Sequence, residues 1–389
     1  MPTSRTPRRL RRALVATACV ALAGPLLASG TSSATTPTAA RAAAPRLAAT
    51  TVASGLSNPW DLAFLDSVNY LVTQRDRGTI SLGRLGSSRT RVVARPTDLW
   101  ASGETGMMAV EARPDFARSR EFLTCHGWRK GSKTDVRVVR WRLNAAGTSA
   151  SIVKTIVRLP ITSGRHGGCQ LAFTGSGALM IGTGDTARTG IAQKLTSGGG
   201  KVLRVNSKTG RGWPTNTWAK SKDAQKRRVY SYGHRNVQGL AVRKGGGVWS
   251  VEQGSYRDDE VNKLKKGGNA GWKPGPGYDE SAPMTNTSLP RAYRARWSSG
   301  PSTIATSGGA WLYGRSWGDR SGKVLAVAAL KGEQLRFLRF TAKGRLTSQA
   351  VHLKGDFGRL RGVTLGPDQA LYVTTSNGSN DKILRVTLR

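Results

Sequence analysis

The polar residues best suited to chemistry cluster between Tyr232 and Pro274. Arg235, Asn236 and Gln238 lie at the start of one short apolar strand. A glycine turn and a second apolar strand lead to another polar group: Glu252, Gln253, Asp258, Asp259 and Glu260. Strands bounded by glycine, with polar residues at their ends, indicate a β scaffold that carries a site on its loops.

Two further groups suit proton transfer and anion binding. His166 lies in the run Arg165-His-Gly-Gly168, and Asp185 ends the next strand-like segment. Imidazole is the side chain best matched to accepting a proton near neutral pH, so His166 is a candidate base.

Arg359 and Arg361 are two residues apart, a spacing that places both side chains on one side of a strand. Guanidinium groups bind carboxylates through paired hydrogen bonds.

The elements that must position these residues are short strands. Apolar runs that end in glycine or a polar turn recur at residues 69–74, 178–185, 247–253, 323–330 and 370–375. Several are preceded by a second strand, so the repeating unit is strand, turn, strand. Such repeats, at about 40 to 60 residues each, predict a β-propeller of roughly six to eight blades. Two packed β-sheets are the alternative, but they do not explain the repeated unit.

A propeller also explains how distant residues could meet. Loops from separate blades converge over one mouth of its central channel. The last strand-like run, residues 382–388, is predicted to pair with the first, near residues 47–52. This pairing would close the ring and protect its sheet edges.

The N-terminus predicts an export signal rather than part of the fold. Arginines at positions 5, 8, 9, 11 and 12 precede an apolar run, and small residues follow. This order is typical of a secretory signal, predicted for residues 1–34, and it predicts a secreted protein. A flexible Ala-, Thr- and Pro-rich lead-in is predicted for residues 35–48 and the propeller for residues 49–389. The export route stays open, and no later segment is apolar enough to span a bilayer.

The formal net charge is +39. Lysines and arginines are scattered singly along strands and turns, without a nucleic-acid-binding motif, so the sequence argues against a nucleic-acid partner. A solvated basic surface is one interpretation of this charge. Adsorption to an anionic cell-wall polymer is the alternative.

Two cysteines, Cys125 and Cys169, follow the predicted signal. An even count in an exported chain favours a disulfide. The sequence leaves this bridge open, because it does not show whether their Cα atoms approach closely enough.

Taken together, these motifs resemble the glucose/sorbosone dehydrogenase family, the soluble sugar dehydrogenases that use pyrroloquinoline quinone (PQQ). The resemblance is carried by R-N-x-Q-G-L at 235–240, E-Q-G at 252–254 and D-D-E-x-N at 258–262, and it covers essentially the whole chain after the signal. It implies an all-β, six-bladed β-propeller with PQQ and calcium as cofactors. It further implies oxidation of aldose sugars at C1 to lactones, with an unidentified external electron acceptor.

The same resemblance implies a role for each candidate residue. His166 would be the base, Asp185 would orient it, and Arg235 would lie near the carbonyl that receives the hydride. Cofactor contacts are implied for Arg235, Asn236, Gln253, Thr303, Lys331, Arg359 and Arg361. Substrate contacts are implied for Glu104, Gln238 and Asp259. The backbone carbonyls of Gly254 and Ser255 would hold calcium.

Four positions depart from the family pattern. Ser255 replaces a usual proline, and Ala270 stands where tyrosine is frequent. Arg165 replaces a residue that is acidic in glucose-specific members, and Pro301 replaces a tryptophan that covers the sugar. The last two predict broad aldose specificity without a strong preference for glucose.

Two other functions compete with sugar oxidation. A non-catalytic propeller that binds a glycan or an anionic surface polymer would suit the basic charge, but it would not need the histidine, aspartate and arginine set. A lactonase propeller would need metal-binding carboxylates around the channel. The acidic residues here are too few and are grouped on one loop.

Overall fold

The computed structural model describes residues 46–160 and 163–389. In this part of the chain, six antiparallel four-stranded sheets form a ring, which confirms the predicted six-bladed β-propeller. Blades 1 to 3 contain β2 (Pro59–Phe64), β3 (Asn69–Gln74), β4 (Thr79–Arg84), β5 (Thr90–Ala94), β6 (Met107–Ala112), β7 (Glu121–Lys130), β8 (Lys133–Leu143), β9 (Ala150–Leu159), β10 (Gln170–Phe173), β11 (Leu179–Gly182), β12 (Lys201–Val205) and β13 (Val229–Tyr232).

Blades 4 and 5 contain β14 (Val237–Arg243), β15 (Gly247–Glu252), β16 (Glu260–Lys263), β17 (Trp297–Ser298), β18 (Thr306–Trp311), β19 (Val324–Ala329), β20 (Gln334–Phe340) and β21 (Leu346–His352). Blade 6 joins the chain's last strands to its first: β22 (Leu360–Leu365), β23 (Leu371–Thr375), β24 (Asp381–Leu388) and β1 (Leu47–Leu56). Helices are short: α1 (Phe116–Ser119), α2 (Ala224–Arg228) and the 3₁₀ turns Pro276–Tyr278 and Arg315–Arg320. Within the described ranges, no helix has the length and apolar character needed to cross a membrane.

The ring closes as predicted. β1 pairs antiparallel with β24, with Leu47 opposite Leu388. β1 therefore begins two residues before the predicted start of the domain at residue 49. The predicted signal, residues 1–34, and residues 35–45 of the predicted lead-in lie outside the described residues.

Apolar side chains fill the spaces between neighbouring blades. Trp249 of blade 4 packs edge-on against Trp311 of blade 5, with ring centroids 5.3 Å apart, and Phe340 lies 4.7 Å from Trp249. The inner strands also approach closely. A Cβ atom on Gly239 would lie 2.4 Å from the carbonyl oxygen of Ser307, so glycine is required there.

Irregular pairing marks the start of five inner strands. In β2, β6, β14, β18 and β22, the register against the second strand of the blade shifts within the first few residues. A bulge re-aims the side chains of the residues it leaves unpaired. These ends of the strands lie at the channel mouth that carries the candidate site.

A disulfide joins blades 2 and 3. Cys125 in β7 and Cys169, just ahead of β10, are bonded, with their Cα atoms 6.1 Å apart. This bridge, which the sequence left open, anchors the chain three residues after His166 to the neighbouring blade.

The channel holds a cavity of about 660 Å³ that is lined by an unusual pair of acids, Asp61 and Glu111. Burial, opposed by hydrogen bonds from Gln170, Leu62 and Val110, raises the pKa of Asp61 to about 6. Burial and the nearby charge of Asp61 raise the pKa of Glu111 to about 8. A raised carboxyl pKa means that the fold favours the protonated form of Glu111. The unfolded chain releases this proton near the ordinary pKa of 4.5, so the fold loses stability as the pH rises from about 4.5 to about 8, and the loss is complete above 8.

Replacing Glu111 with glutamine should therefore stabilise the protein in alkali but not in acid. One pKa unit corresponds to about 1.4 kcal/mol, and water in the channel screens this partly exposed group. We expect the free energy of unfolding to rise by about 1 kcal/mol at pH 9 and to change little at pH 5. Urea unfolding at both pH values measures this, with the exposed Glu333→Gln as control. An equal increase in the free energy of unfolding at both pH values would contradict the raised pKa of Glu111.

Candidate active site

His166 and Asp185 form a buried pair at the channel mouth. The imidazole Nδ1 lies 2.9 Å from Asp185 Oδ1, and both side chains are at most 3% exposed. Asp185 Oδ1 also accepts the backbone N–H of Ala187 at 2.9 Å. Asp185 Oδ2 accepts the indole N–H of Trp272 at 2.6 Å and the hydroxyl of Tyr278 at 2.7 Å. Because Nδ1 of His166 faces a carboxylate oxygen, which can only accept, we assign the ring N–H to Nδ1, and Nε2 is then the nitrogen that carries the lone pair.

Close backbone packing builds this pair. A Cβ atom on Gly184 would lie 1.9 Å from the carbonyl oxygen of His166, so only glycine fits beside the histidine loop. The backbone N–H of Asp185 donates to the carbonyl of Arg235 at 2.8 Å. These contacts bring together the loops that carry His166, Asp185 and Arg235, whose common role the sequence predicted only by resemblance.

Trp272 and Tyr278 were missed by the sequence analysis. Burial and the charge of Asp185 raise the pKa of Tyr278, so its hydroxyl remains a donor. Tyr278 also approaches His166 Nδ1, at 2.9 Å. Trp272 belongs to the N-A-G-W run at 269–272, the one local signal for it. Tyr278 lies in a polar connection that carries no comparable pattern.

Arg235 is 4% exposed, and both nitrogens on one edge of its guanidinium donate hydrogen bonds. Its Nε and Nη2 donate to Glu280 Oε1, at 3.0 and 2.5 Å, and its Nη1 donates to the carbonyl of Gln253 at 3.1 Å. The guanidinium carbon lies 5.7 Å from the centroid of a Trp272 ring. Glu280 is another residue that the sequence analysis missed.

Asn236 connects three other loops. Its Nδ2 donates to Glu104 Oε2 at 2.9 Å and to Gln253 Oε1 at 3.3 Å, and its Oδ1 accepts the backbone N–H of Gly168 at 3.3 Å. The structure thus gathers the predicted residues Glu104, Asn236 and Gln253 next to the His166 loop.

Arg361 and Gln238 meet across the channel from blades 6 and 4. Arg361 Nη1 donates to Gln238 Oε1 at 2.9 Å, and its guanidinium carbon lies 3.9 Å from the centroid of a Trp60 ring. Both residues lie within bulges. Burial and the nearby positive charge of Arg75 lower the pKa of Arg361 to about 9.

The other two predicted cations are more open to solvent. Lys331 is exposed in the connection between β19 and β20. Arg359 is exposed because β22 begins only at Leu360, so the strand alternation expected for Arg359 and Arg361 does not apply to the pair.

The predicted calcium-binding turn is held by Asp259. Its carboxylate accepts the backbone N–H groups of Gly254 at 2.9 Å and Ile304 at 2.6 Å and the hydroxyl of Thr303 at 2.8 Å. Burial raises the pKa of Asp259, although these hydrogen bonds oppose it. The polar atoms of Asp259 and Thr303 are therefore directed at each other and at the turn.

Three oxygen atoms of the turn are free to act as ligands. Among the described residues, neither the carbonyl of Gly254 nor that of Ser255 accepts a hydrogen bond. The hydroxyl of Ser255 is buried and has no hydrogen-bond partner in residues 46–160 and 163–389. Neutral oxygens of this kind are ligands for a hard cation.

Comparison with known proteins identifies the family of this chain. The model of the Glucose / Sorbosone dehydrogenase family matches residues 56–385. The chain is 30% identical over 350 residues to aldose sugar dehydrogenase YliI of Escherichia coli (strain K12), covering 86% of this chain and 91% of that protein.

Two solved structures share the fold over most of the chain. The PQQ-bound form of aldose sugar dehydrogenase from Streptomyces coelicolor has a TM-score of 0.75 and 29% identity, covering 89% of this chain and 100% of that one. The apo form of soluble aldose sugar dehydrogenase from Escherichia coli has a TM-score of 0.79 and 26% identity, covering 88% and 100%. The family match across nearly all of the propeller shows that this chain belongs to the glucose/sorbosone dehydrogenase family.

Proposed function

We propose that this protein is a secreted, calcium- and PQQ-dependent dehydrogenase that oxidises aldose sugars at C1 to lactones and passes the electrons to an external acceptor. Family membership and the likeness to a PQQ-bound aldose sugar dehydrogenase support a PQQ-dependent sugar oxidoreductase. The observation that carries the proposal is the buried His166–Asp185 pair beside Arg235. A propeller that only binds glycans has no need for a base held in this way.

The residues at the mouth fit PQQ, a planar quinone that bears three carboxylates. Arg361, Arg359 and Lys331 are the cations proposed to bind its carboxylates, and Asn236 and Gln253 are proposed to bind its polar edge. Arg235 is proposed to lie at the reacting carbonyl. When bound, PQQ supplies the two-electron acceptor that takes the hydride from C1.

The Gly254–Ser255 turn fits calcium. Its two carbonyl oxygens without partners and the buried Ser255 hydroxyl offer neutral, hard donors. Asp259 holds the turn by its hydrogen bond to Gly254. We propose that Asp259 and Thr303 act through this turn rather than by touching sugar or cofactor, because their polar atoms are already paired.

His166 is proposed to perform the proton transfer. Its Nε2 accepts the proton of the C1 hydroxyl, while Asp185 stabilises the imidazolium that forms. Trp272 and Tyr278 hold Asp185 in place. Glu104 and Gln238 are the polar groups proposed to bind sugar hydroxyls, since Glu104 accepts a hydrogen bond from Asn236 and Gln238 accepts one from Arg361.

Secretion is proposed on the order of residues at the N-terminus and is supported by the Cys125–Cys169 disulfide, since such bonds persist in oxidising compartments. The net charge of +39 also supports adsorption to an anionic cell-wall polymer as a secondary proposal.

Reconstitution of the purified protein tests the proposed function. After treatment with chelator, the protein is titrated with PQQ with and without calcium, and dye reduction is then measured over a panel of aldoses. We expect tight PQQ binding only with calcium, and comparable kcat/KM values for several aldoses because of Arg165 and Pro301. Equal PQQ affinity with and without calcium would overturn the proposed calcium site. A kcat/KM much higher for glucose than for other aldoses would overturn the predicted broad specificity.

A further inference from the structure

One short segment contacts both the His166–Asp185 pair and Arg235. We call Gly275–Ser281, within the long connection between β16 and β17, the clasp. Its ends are joined by hydrogen bonds between the backbones of Gly275 and Asp279, at 2.9 and 3.3 Å. The backbone N–H of Tyr278 donates to the hydroxyl of Thr189 at 2.9 Å, which fixes the clasp to blade 3. From this position Tyr278 reaches Asp185, and Glu280 reaches Arg235.

Glu280 takes one edge of the Arg235 guanidinium. Its Oε1 accepts both Nε–H and one Nη2–H, while the carbonyl of Gln253 accepts one Nη1–H. A guanidinium has five N–H donors, so one N–H on each terminal nitrogen is left uncommitted. Within the described part of the chain, these contacts fix the guanidinium and leave one N–H on Nη1 and one on Nη2 without a partner.

A second arginine stabilises Glu280 in this place. Its Oε2 accepts a hydrogen bond from Arg165 Nη2. Burial disfavours the ionised form of Glu280, but the charges and hydrogen bonds of Arg235 and Arg165 outweigh it and lower its pKa. The Glu280 side chain is 21% exposed and that of Arg235 only 5%, so the contact is largely protected from water.

We propose that Glu280 is a positioning residue for sugar oxidation: it orients the Arg235 guanidinium so that its two uncommitted N–H groups face the hydride-accepting group. The inference rests on the role proposed above for Arg235. An arginine side chain turns about several bonds, and a catalytic group displaced by about 1 Å can lose about 10²-fold in rate. A two-point acceptor on one edge restricts that motion.

Glu280→Gln and Glu280→Met form a matched pair for the test. Both remove the charge and keep the length of the side chain, but only glutamine retains an oxygen that Arg235 can donate to. Because both variants lose the negative charge, any difference in activity between them measures the effect of the hydrogen bond to Arg235 alone. Each variant is made in the natural protein and in Arg235→Ala, with the exposed Glu333→Met as control and thermal unfolding as the check on folding.

Two quantities are measured. The first is kcat for an aldose carrying hydrogen or deuterium at C1, and the second is PQQ affinity from quenching of tryptophan fluorescence in the calcium-loaded protein. We expect Glu280→Met to lower kcat by about 10²-fold relative to Glu280→Gln and to raise the deuterium isotope effect, because hydride transfer is slowed. We also expect weaker PQQ binding in Glu280→Met than in Glu280→Gln. In Arg235→Ala, both differences should vanish.

Three outcomes would overturn the inference. Equal kcat and equal PQQ affinity in the two Glu280 variants would show that the hydrogen bond to Arg235 has no part in catalysis. A Gln-to-Met difference that persists in Arg235→Ala would show that Glu280 acts through another group. If Arg235→Ala itself leaves turnover and PQQ affinity unchanged, the proposed role of Arg235 fails as well, which separates that failure from the first two.

Discussion

Replacing His166 with alanine is expected to lower kcat by about 10² to 10⁴-fold while PQQ binding stays nearly intact. The reason is that His166 is the base we propose, and its ring contacts Asp185 and Tyr278 rather than the cations proposed to hold PQQ. Steady-state kinetics on the reconstituted protein measure the rate. Fluorescence titration with PQQ measures the binding.

Asp185→Asn should also cost rate, because it removes the charge that stabilises the imidazolium. It also leaves the Trp272 and Tyr278 donors facing an amide, which accepts less well. The two losses should be less than additive in the double variant, since both residues serve one proton transfer. Near-full turnover of His166→Ala with PQQ bound would place the base elsewhere.

Replacing Arg361 and Arg359 with alanine should weaken PQQ binding strongly. Hydrogen bonds to a charged partner contribute about 1.5 to 3 kcal/mol each, so the double variant should lose roughly 10² to 10⁴-fold in affinity. Arg361→Ala should lower PQQ affinity more than Arg359→Ala, because Arg361 is buried, whereas water competes for the exposed Arg359. Fluorescence titration of each single variant and of the double variant checks this order.

Folding controls are needed because Arg361 also stacks on Trp60 and binds Gln238. The exposed Arg345→Ala removes an equal charge in the turn between β20 and β21 and should leave affinity unchanged. Thermal unfolding of Arg361→Ala separates lost stability from lost binding. Unchanged affinity of a folded double variant would mean that PQQ is held by other groups.

The repeated strands, the closing pair and the site motifs could all be predicted from the sequence. Strand patterns are local: alternation, β-branched residues and bounding glycines reflect each residue's nearest neighbours along the chain. The pairing of residues 382–388 with β1 followed from the need to protect sheet edges, and the structure confirms it. The family resemblance located the His166, Asp185 and Arg235 motifs, which the structure brings together.

Contacts between distant residues depended on the tertiary structure. Arg361 and Gln238 are 123 positions apart, and bulges in two inner strands place them together at the channel mouth. Glu280 reaches Arg235 across 45 positions, from a connection without a regular pattern. The pairing of Asp259 with Thr303 and the closure of the disulfide between two blades are of the same kind.

The physical reason is that such contacts depend on ring curvature, on bulges and on the path of long connections. None of these leaves a periodic signal in the amino-acid sequence. The sequence by itself determined which chemical groups the loops carry and which scaffold carries them. Only the tertiary structure decided which of these groups lie within hydrogen-bonding distance, and it thereby added Trp272, Tyr278 and Glu280 to the site.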